Sequence, residues 1–217
     1  MNIIVTMKQV PDTNEVKIDP KTGTMIREGV PSIINPEDKN AIEEALRIKD
    51  DNDNVEVTAL SMGPLQAEMA LREALCMGVD RAILLSDRAC AGADTLATSY
   101  MLSAAIKKIK KFDLIICGRQ AIDGDTGQVG PQLAEALGIP QATYAEEICV
   151  KEDKVTVKSH FDSMIRVVEM KTPALITVTK RINKPRFMTT NGVLKGYRDK
   201  EVITWTLKDL KLNPMRI

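Results

Sequence analysis

Short, largely apolar runs alternate with amphipathic stretches through the first 140 residues. Ile3-Ile4-Val5-Thr6, Val55 to Leu60, Arg81-Ala82-Ile83-Leu84-Leu85 and Phe112 to Ile116 are mostly apolar. A strand reads this way when both of its faces are covered, as in a parallel sheet with helices on either side. Between these runs the period lengthens to that of a helix. Asn35-Pro36-Glu37-Asp38 supplies a cap residue, a first-turn proline and two acids beside the helix dipole, ahead of Ala41, Ile42, Ala45 and Leu46. The stretch from Gln66 to Met77 stops at Gly78, a C′ glycine. The stretch from Asp94 to Lys111 ends in Lys107, Lys108, Lys110 and Lys111, which suit a helix C-terminus and read as a solvated face. A further helix is expected over Gln132 to Gly138. Residues 16–30 predict a small hairpin after the first strand, turning at Asp19-Pro20-Lys21-Thr22-Gly23.

Beyond Pro140 the pattern shortens. Ile148-Cys149-Val150, Val155-Thr156-Val157 and Ile165-Arg166-Val167-Val168 read as strands joined by polar turns, and Ala174 to Thr179 as one more apolar strand. Lys180 to Gly196 is rich in turn residues and predicts an irregular, exposed loop. Together these elements predict an α/β fold with a doubly wound, mostly parallel, Rossmann-like sheet and a C-terminal antiparallel extension. A single domain over 1–217 is expected, with the strand-rich extension at 141–179.

Composition narrows the function. The chain is 44% hydrophobic, and thirty Lys and Arg balance thirty Asp and Glu, which argues against a large nucleic-acid footprint. Aromatic residues make up 3%, too few for base-stacking platforms. Cys76, Cys90, Cys117 and Cys149 are scattered and His160 is the one histidine, so a zinc or iron–sulfur site is not expected. Any redox role then needs an organic cofactor. The eleven methionines read as core filler. No signal-like segment and no membrane-spanning apolar run is seen, so a cytoplasmic protein is expected.

Ligands of doubly wound sheets sit beyond the carboxyl ends of the strands. The candidate wall is therefore Met7 to Asp12, Ser61-Met62-Gly63-Pro64, Ser86 to Thr98 and Gly118 to Gly130. The last is the most informative: CGRQAIDGDTGQVGP, from Cys117 to Pro131, joins a strand to a helix through glycines and can offer backbone N–H groups to a phosphate. It lacks GxxxxGK[ST], which makes phosphate transfer improbable, and the first strand lacks GxGxxG. Asp123 and Asp125 read as a helix cap, ribose partners or loop braces, leaving the N–H groups around Thr126, Gly127, Gln128 and Val129 for phosphate. Arg119 serves either as added charge or as half of a packing salt bridge. Cys117 and His160 read as structural. The chain reads as a nucleotide-binding module with no side-chain catalytic centre of its own.

These segments resemble the β subunits of electron-transfer flavoproteins over almost the whole chain. The resemblance rests on Val5 to Thr13, the Asn35-Pro36 helix start, Ser61-Met62-Gly63-Pro64, Ala74 to Arg81, Gly118-Arg119-Gln120-Ala121-Ile122-Asp123 and Asn183-Lys184-Pro185-Arg186-Phe187. It implies a heterodimer with an α subunit and a nucleotide site built from Thr6, Asn35, Pro36, Glu37, Asp38, Met62 and the loop Gly118, Arg119, Gln120, Ala121, Ile122, Asp123, Gly124, Asp125, Thr126, Gly127, Gln128 and Val129. In simple family members that site holds AMP, and in the electron-bifurcating branch it holds FAD. The form of the 123–131 loop and Ala93 to Ser99 are similar to the bifurcating branch, where Thr95 and Thr98 would lie near the flavin ring. The implied activity takes electrons from NADH and splits them between an acyl-CoA dehydrogenase-type partner and ferredoxin or flavodoxin. Residues 180–197 are similar to a loop that docks the dehydrogenase, with Val193 and Leu194 as apolar anchors. Family members continue in a C-terminal arm, of which 198–217 would be the start. The sequence stops at Ile217, so a shortened chain or reduced partner contact is expected. Two other readings stay open at this stage: a non-bifurcating carrier subunit holding structural AMP, and a stand-alone adenine-nucleotide-binding regulatory module.

Overall fold

Seven parallel strands run through the centre of a nine-stranded sheet in a computed structural model that describes residues 1–12 and 31–212. The elements are β1 (Asn2–Met7), β2 (Gln9–Pro11), β3 (Ser32–Ile34), α1 (Pro36–Asp51), β4 (Glu56–Met62), α2 (Glu68–Met77), β5 (Arg81–Leu85), α3 (Thr95–Ile109), β6 (Leu114–Gly118), α4 (Val129–Leu137), β7 (Gln141–Lys151), β8 (Lys154–Phe161), β9 (Met164–Lys171), β10 (Ala174–Val178), α5 (Thr190–Arg198) and β11 (Val202–Trp205). The strand order is β11-β5-β4-β1-β6-β10-β7-β8-β9, with β8 and β9 antiparallel additions, while β2 and β3 form a separate two-stranded pair. The predicted fold class is the observed one.

The successive apolar positions in the central strands follow from a sheet covered on both faces. Ile3 and Val5 of β1, Val57 and Ala59 of β4, and Leu114 and Ile116 of β6 pack with Ile42 and Leu46 of α1 and Leu71 and Leu75 of α2. The alternate residues Ile4, Leu60, Ile83, Ile115 and Leu175 pack on the other face with Leu102 and Ile106 of α3 and Leu133 of α4. Each such side chain, removed from water, contributes about 1.5–3 kcal/mol. Gly78 ends α2 at φ 127 and Gly138 ends α4 at φ 68, conformations that glycine adopts without a Cβ penalty.

Two expectations change and a third is untested. The hairpin expected at residues 16–30 lies outside the described residues. The irregular loop expected over Lys180 to Gly196 is helical in its second half, as α5. Its glycines read as breakers in isolation, but Gly192 and Gly196 are four residues apart and form the face that seats on α2. A Cβ on Gly196 would lie 2.6 Å from the Cys76 sulfur, and one on Gly192 would overlap the Cys76 carbonyl oxygen. Thr189 caps α5, its Oγ1 accepting from Gly192 N at 3.0 Å. Finally, α4 begins at Val129 rather than near Gln132, because Gly130 and Pro131 both suit a first helical turn. Within 198–217, Val202–Trp205 form β11 and extend the sheet beside β5. Among the described residues no helix is long and apolar enough to cross a membrane.

Candidate functional site

The chain leaves β1 towards β4 and β5 on one side of the sheet and later takes up β6 and β10 on the other. Connections at the carboxyl ends of β1 and β6 therefore diverge and open a crevice. The first turn of α1 closes its floor. Asp38 Oδ2 accepts from Lys8 N at 2.8 Å, just past the end of β1, and Asp38 Oδ1 accepts from Gly118 N at 3.0 Å, the last residue of β6. Glu37 Oε2 accepts from Gln120 N at 3.1 Å. Asn35 Oδ1 accepts from Ile122 N at 3.1 Å, and Asn35 Nδ2 donates to Gln120 O at 2.9 Å. Alternate N–H groups of residues 118, 120 and 122 are thus taken by the side chains of Asp38, Glu37 and the cap residue Asn35, as a neighbouring strand would take them.

This corrects the reading of Asn35 as a side-chain cap. It occupies the cap position, but its side chain makes no capping hydrogen bond and serves the loop instead. Both acids are buried. Burial pushes the Asp38 carboxyl up to about 7 against the lowering effect of its hydrogen bonds from Lys8, Gly118 and Asn35, and Glu37 raises it further. Gly118 has no room for a side chain here, since a Cβ would lie 2.5 Å from Asp38 Oδ1 and 2.8 Å from Asp38 N.

Farther along the loop, both predicted carboxylates act as braces. Lys8 Nζ meets Asp123 Oδ1 at 2.7 Å, and Asp125 Oδ1 accepts from Gln120 Nε2 at 2.7 Å. Asp125 N donates to Ala121 O at 2.9 Å, and Asp125 and Gly127 take φ values of 48 and 62 to turn the chain into α4. Gly124, Asp125, Thr126 and Gln128 are exposed on the loop. At the start of α4 the N–H groups of Val129 and Gly130 have no acceptor within the helix, and Pro131 brings no N–H at all. Gly130 lets this end sit directly on the sheet, because a Cβ there would lie 2.6 Å from Thr177 Cγ2.

The N-terminus of α3 converges on the same place. Asp94 caps it through Ala97 N at 2.8 Å, Thr95 Oγ1 donates to Gln128 Oε1 at 2.9 Å, and Ser99 Oγ lies 3.3 Å from Val129 O. Thr98, one turn along, is half-buried. Two helix N-termini side by side give a positive field suited to an anionic group. Thr6 is buried and hydrogen-bonded to Cys117, its register partner on β6, and Met62 is half-buried at the end of β4. The structure therefore gathers the α1 start, the loop, Thr6 and Thr95 around one crevice, whereas Val193 and Leu194 lie on α5, a separate surface.

Arg119 forms the salt bridge that one of its two readings expected. Its Nη2 lies 3.3 Å from Glu37 Oε1, a packing salt bridge, and its guanidinium stands 5.6 Å from the centre of the Tyr144 ring. Tyr144 was not singled out from sequence. It adopts φ 60, with its N–H donating to Thr177 Oγ1 at 3.1 Å, and a non-glycine residue in that conformation leaves no compositional mark. Lys8 and Ser99 were visible only as members of candidate segments. Two buried polar atoms, Ser61 Oγ and Arg119 Nε, have no partner among the described residues, and both belong to the carboxyl ends of the strands flanking β1. Burial pushes the Cys117 thiol up to about 12, which keeps it neutral and unreactive. Among the described residues no cluster of three His, Cys, Asp or Glu is placed to hold a metal ion. Small residues, backbone N–H groups at two helix starts and orphaned polar atoms suit a nucleotide diphosphate. They offer no nucleophile–base pair.

Residues 22–210 match the electron transfer flavoprotein domain. The chain is 56% identical over 213 residues to the electron transfer flavoprotein subunit beta of Thermoanaerobacterium thermosaccharolyticum, covering 98% of this chain and 81% of that protein. It is 54% identical over 214 residues to the caffeyl-CoA reductase-Etf complex subunit CarD of Acetobacterium woodii, covering 99% and 81%. The acryloyl-CoA reductase electron transfer subunit gamma of Anaerotignum propionicum is 47% identical over 219 residues, with 99% and 81% covered. A domain match over most of the chain and relatives at this identity together place the chain in the electron transfer flavoprotein family, as a β subunit.

Proposed function

We propose that this β subunit holds FAD in the β1–β6 crevice and, paired with an α subunit, takes electrons from NADH and divides them between an acyl-CoA dehydrogenase-type partner and ferredoxin or flavodoxin. The observation that carries the reading is the junction of the 118–129 loop with the start of α3. There the Thr95–Gln128 hydrogen bond joins a diphosphate-sized set of N–H groups to a second helix start. A nucleotide whose phosphates lie at Val129 and Gly130 continues past Thr95 and Thr98 if it is longer than AMP. Their hydroxyls can then hydrogen-bond the edge of an isoalloxazine ring. The similarity to a subunit of a caffeyl-CoA reductase-Etf complex adds support.

A bound flavin supplies the one- and two-electron chemistry; this chain binds, orients and electronically tunes it. The α1 side chains hold the loop, Lys8 and Gln120 stiffen it through Asp123 and Asp125, and the two helix starts carry the field that favours the phosphates. The dehydrogenase docks on α5, where Val193, Leu194, Met188 and Tyr197 leave apolar surface exposed. The test is to purify the chain with its α subunit, release the nucleotides and count them. Two FAD and no AMP per heterodimer are expected. One FAD and one AMP would instead assign this crevice to a structural AMP and remove the splitting of electrons.

A further inference from the structure

We propose that Asp38 is a positioning residue of the nucleotide site, a carboxylate latch that ties the diverging ends of β1 and β6 and so fixes the shape of the 118–129 loop. The inference rests on the nucleotide reading above and gives Asp38, one of the residues at the start of α1, a role exerted through the shape of the loop. Its geometry sets it apart from an ordinary helix acid. Each carboxylate oxygen accepts one backbone N–H, from Lys8 at 2.8 Å and from Gly118 at 3.0 Å, on strands that are direct neighbours in the sheet. The register of β1 with β6 ends at Thr6 opposite Cys117. Asp38 holds the N–H of Lys8, two residues past Thr6, and that of Gly118, the residue after Cys117, so the carboxylate bridges the two chains just beyond the point where the ladder ends.

Both oxygens must be acceptors for the latch to close. A protonated carboxyl keeps one acceptor and turns its other oxygen into a donor facing an N–H. The groups around Asp38 make that change accessible near neutral pH. Glu37 stands beside it on α1; Lys8 supplies its N–H but commits its ammonium to Asp123; Cys117 on β6 carries a neutral thiol; Arg119 is paired with Glu37. Among the described residues no cation pairs with Asp38 directly. Its carboxyl is accordingly raised to about 7, so that loop shape and nucleotide affinity both follow its ionisation. The sign is specific. If the latch governs the site, binding tightens as pH rises and Asp38 ionises. If the carboxylate merely repelled the phosphates, binding would weaken over the same range.

The experiment uses the full chain with its α subunit, stripped of nucleotide and titrated calorimetrically with FAD and with AMP at pH 6, 7 and 8. Whichever nucleotide the wild-type complex retains should bind about tenfold more tightly at pH 8 than at pH 6, the loss of one charge-assisted hydrogen bond. Asp38→Asn should bind at the weak value at all three pH values, because an amide reproduces one acceptor only. An unchanged affinity and pH slope in the variant, or tighter binding at pH 6 in the wild type, overturns the latch while leaving the nucleotide assignment standing. A wild-type complex that binds neither nucleotide overturns the assignment and the latch with it. Should the variant fail to assemble, carboxyl carbon resonances of the wild-type complex decide. Saturation with nucleotide should lower the Asp38 midpoint, by reciprocity of linkage, and an unmoved midpoint overturns the proposal.

Discussion

Asp38 shows how far a single side chain can be read before the fold is known. Its carboxyl is raised in the folded chain, so folding favours the protonated form. The stability this confers is fully present below the carboxyl's unfolded value, near 4, and is lost as pH rises to about 7. The melting temperature of the wild type, measured against Asp38→Asn, should therefore fall through that window and stay level above it; a difference that does not vary with pH would contradict the shift. An acid kept where its charge costs stability fits a positional role better than a stabilising one. The sequence made the candidates legible here, because Asn35-Pro36-Glu37-Asp38 is a recognisable helix start and Gly118 to Gly130 a recognisable loop. What it concealed was their connection. Asn35, Glu37 and Asp38 bind N–H groups 87, 83 and 80 positions away, at residues 122, 120 and 118, and the residues that suit a helix start are the same ones that suit this bridge.

At the scale of elements, the pair α2–α5 separates packing from recognition. Gly196→Ala drives a Cβ towards the Cys76 sulfur and brings it to 3.0 Å from Cys76 N, so α5 must lift or tilt. Arg72 then loses its alignment with Gly196 O and Lys200 O, which its Nη1 now meets at 3.0 and 2.7 Å. We expect a loss of about 1–3 kcal/mol in stability, read by denaturant unfolding, together with weaker binding of the dehydrogenase-type partner proposed to dock on α5. Leu194→Ala removes exposed apolar surface and should weaken that binding while shifting stability by no more than about 0.5 kcal/mol. Equal effects of the two variants on stability would mean that Leu194 belongs to the core of the pair. The same elements explain the uneven legibility of the fold. The central strands announced themselves because burial on both faces makes their apolar positions continuous. In α5 the two glycines lower local helix propensity, and the seat on Cys76 of α2, the Arg72 hydrogen bond to Gly196 O and the Thr189 cap support the helix. Propensity alone cannot report a partner surface.

On the scale of the whole molecule, residues 202–212 close the structure around the site. β11 pairs with β5 from Val202 to Trp205, and Ser86 N donates to Trp205 O at 2.8 Å, so the segment that leads into α3 is fastened at its start. Asp87 Oδ2 accepts from Leu207 N at 3.2 Å while its Oδ1 accepts from Ala89 N at 3.1 Å. Leu207 itself is fully buried against Leu85, Cys90 and Met101. Lys108, near the other end of α3, donates to Asp209 O at 2.9 Å and stands 4.4 Å from the Trp205 ring. The turn after β11 thus holds α3 from both ends and sets where Thr95 and Thr98 lie relative to the loop. Leu207→Ala opens a cavity in that cluster and should cost about 2–5 kcal/mol. Its effect should also be regional. Amide exchange should speed up over residues 86–100 more than over α1, and nucleotide affinity should fall even under conditions where the chain remains folded. Uniform acceleration across the sheet, with affinity unchanged in the folded fraction, would show that Leu207 supports the core without positioning α3. The site at the centre of the sheet would then be independent of its last strand.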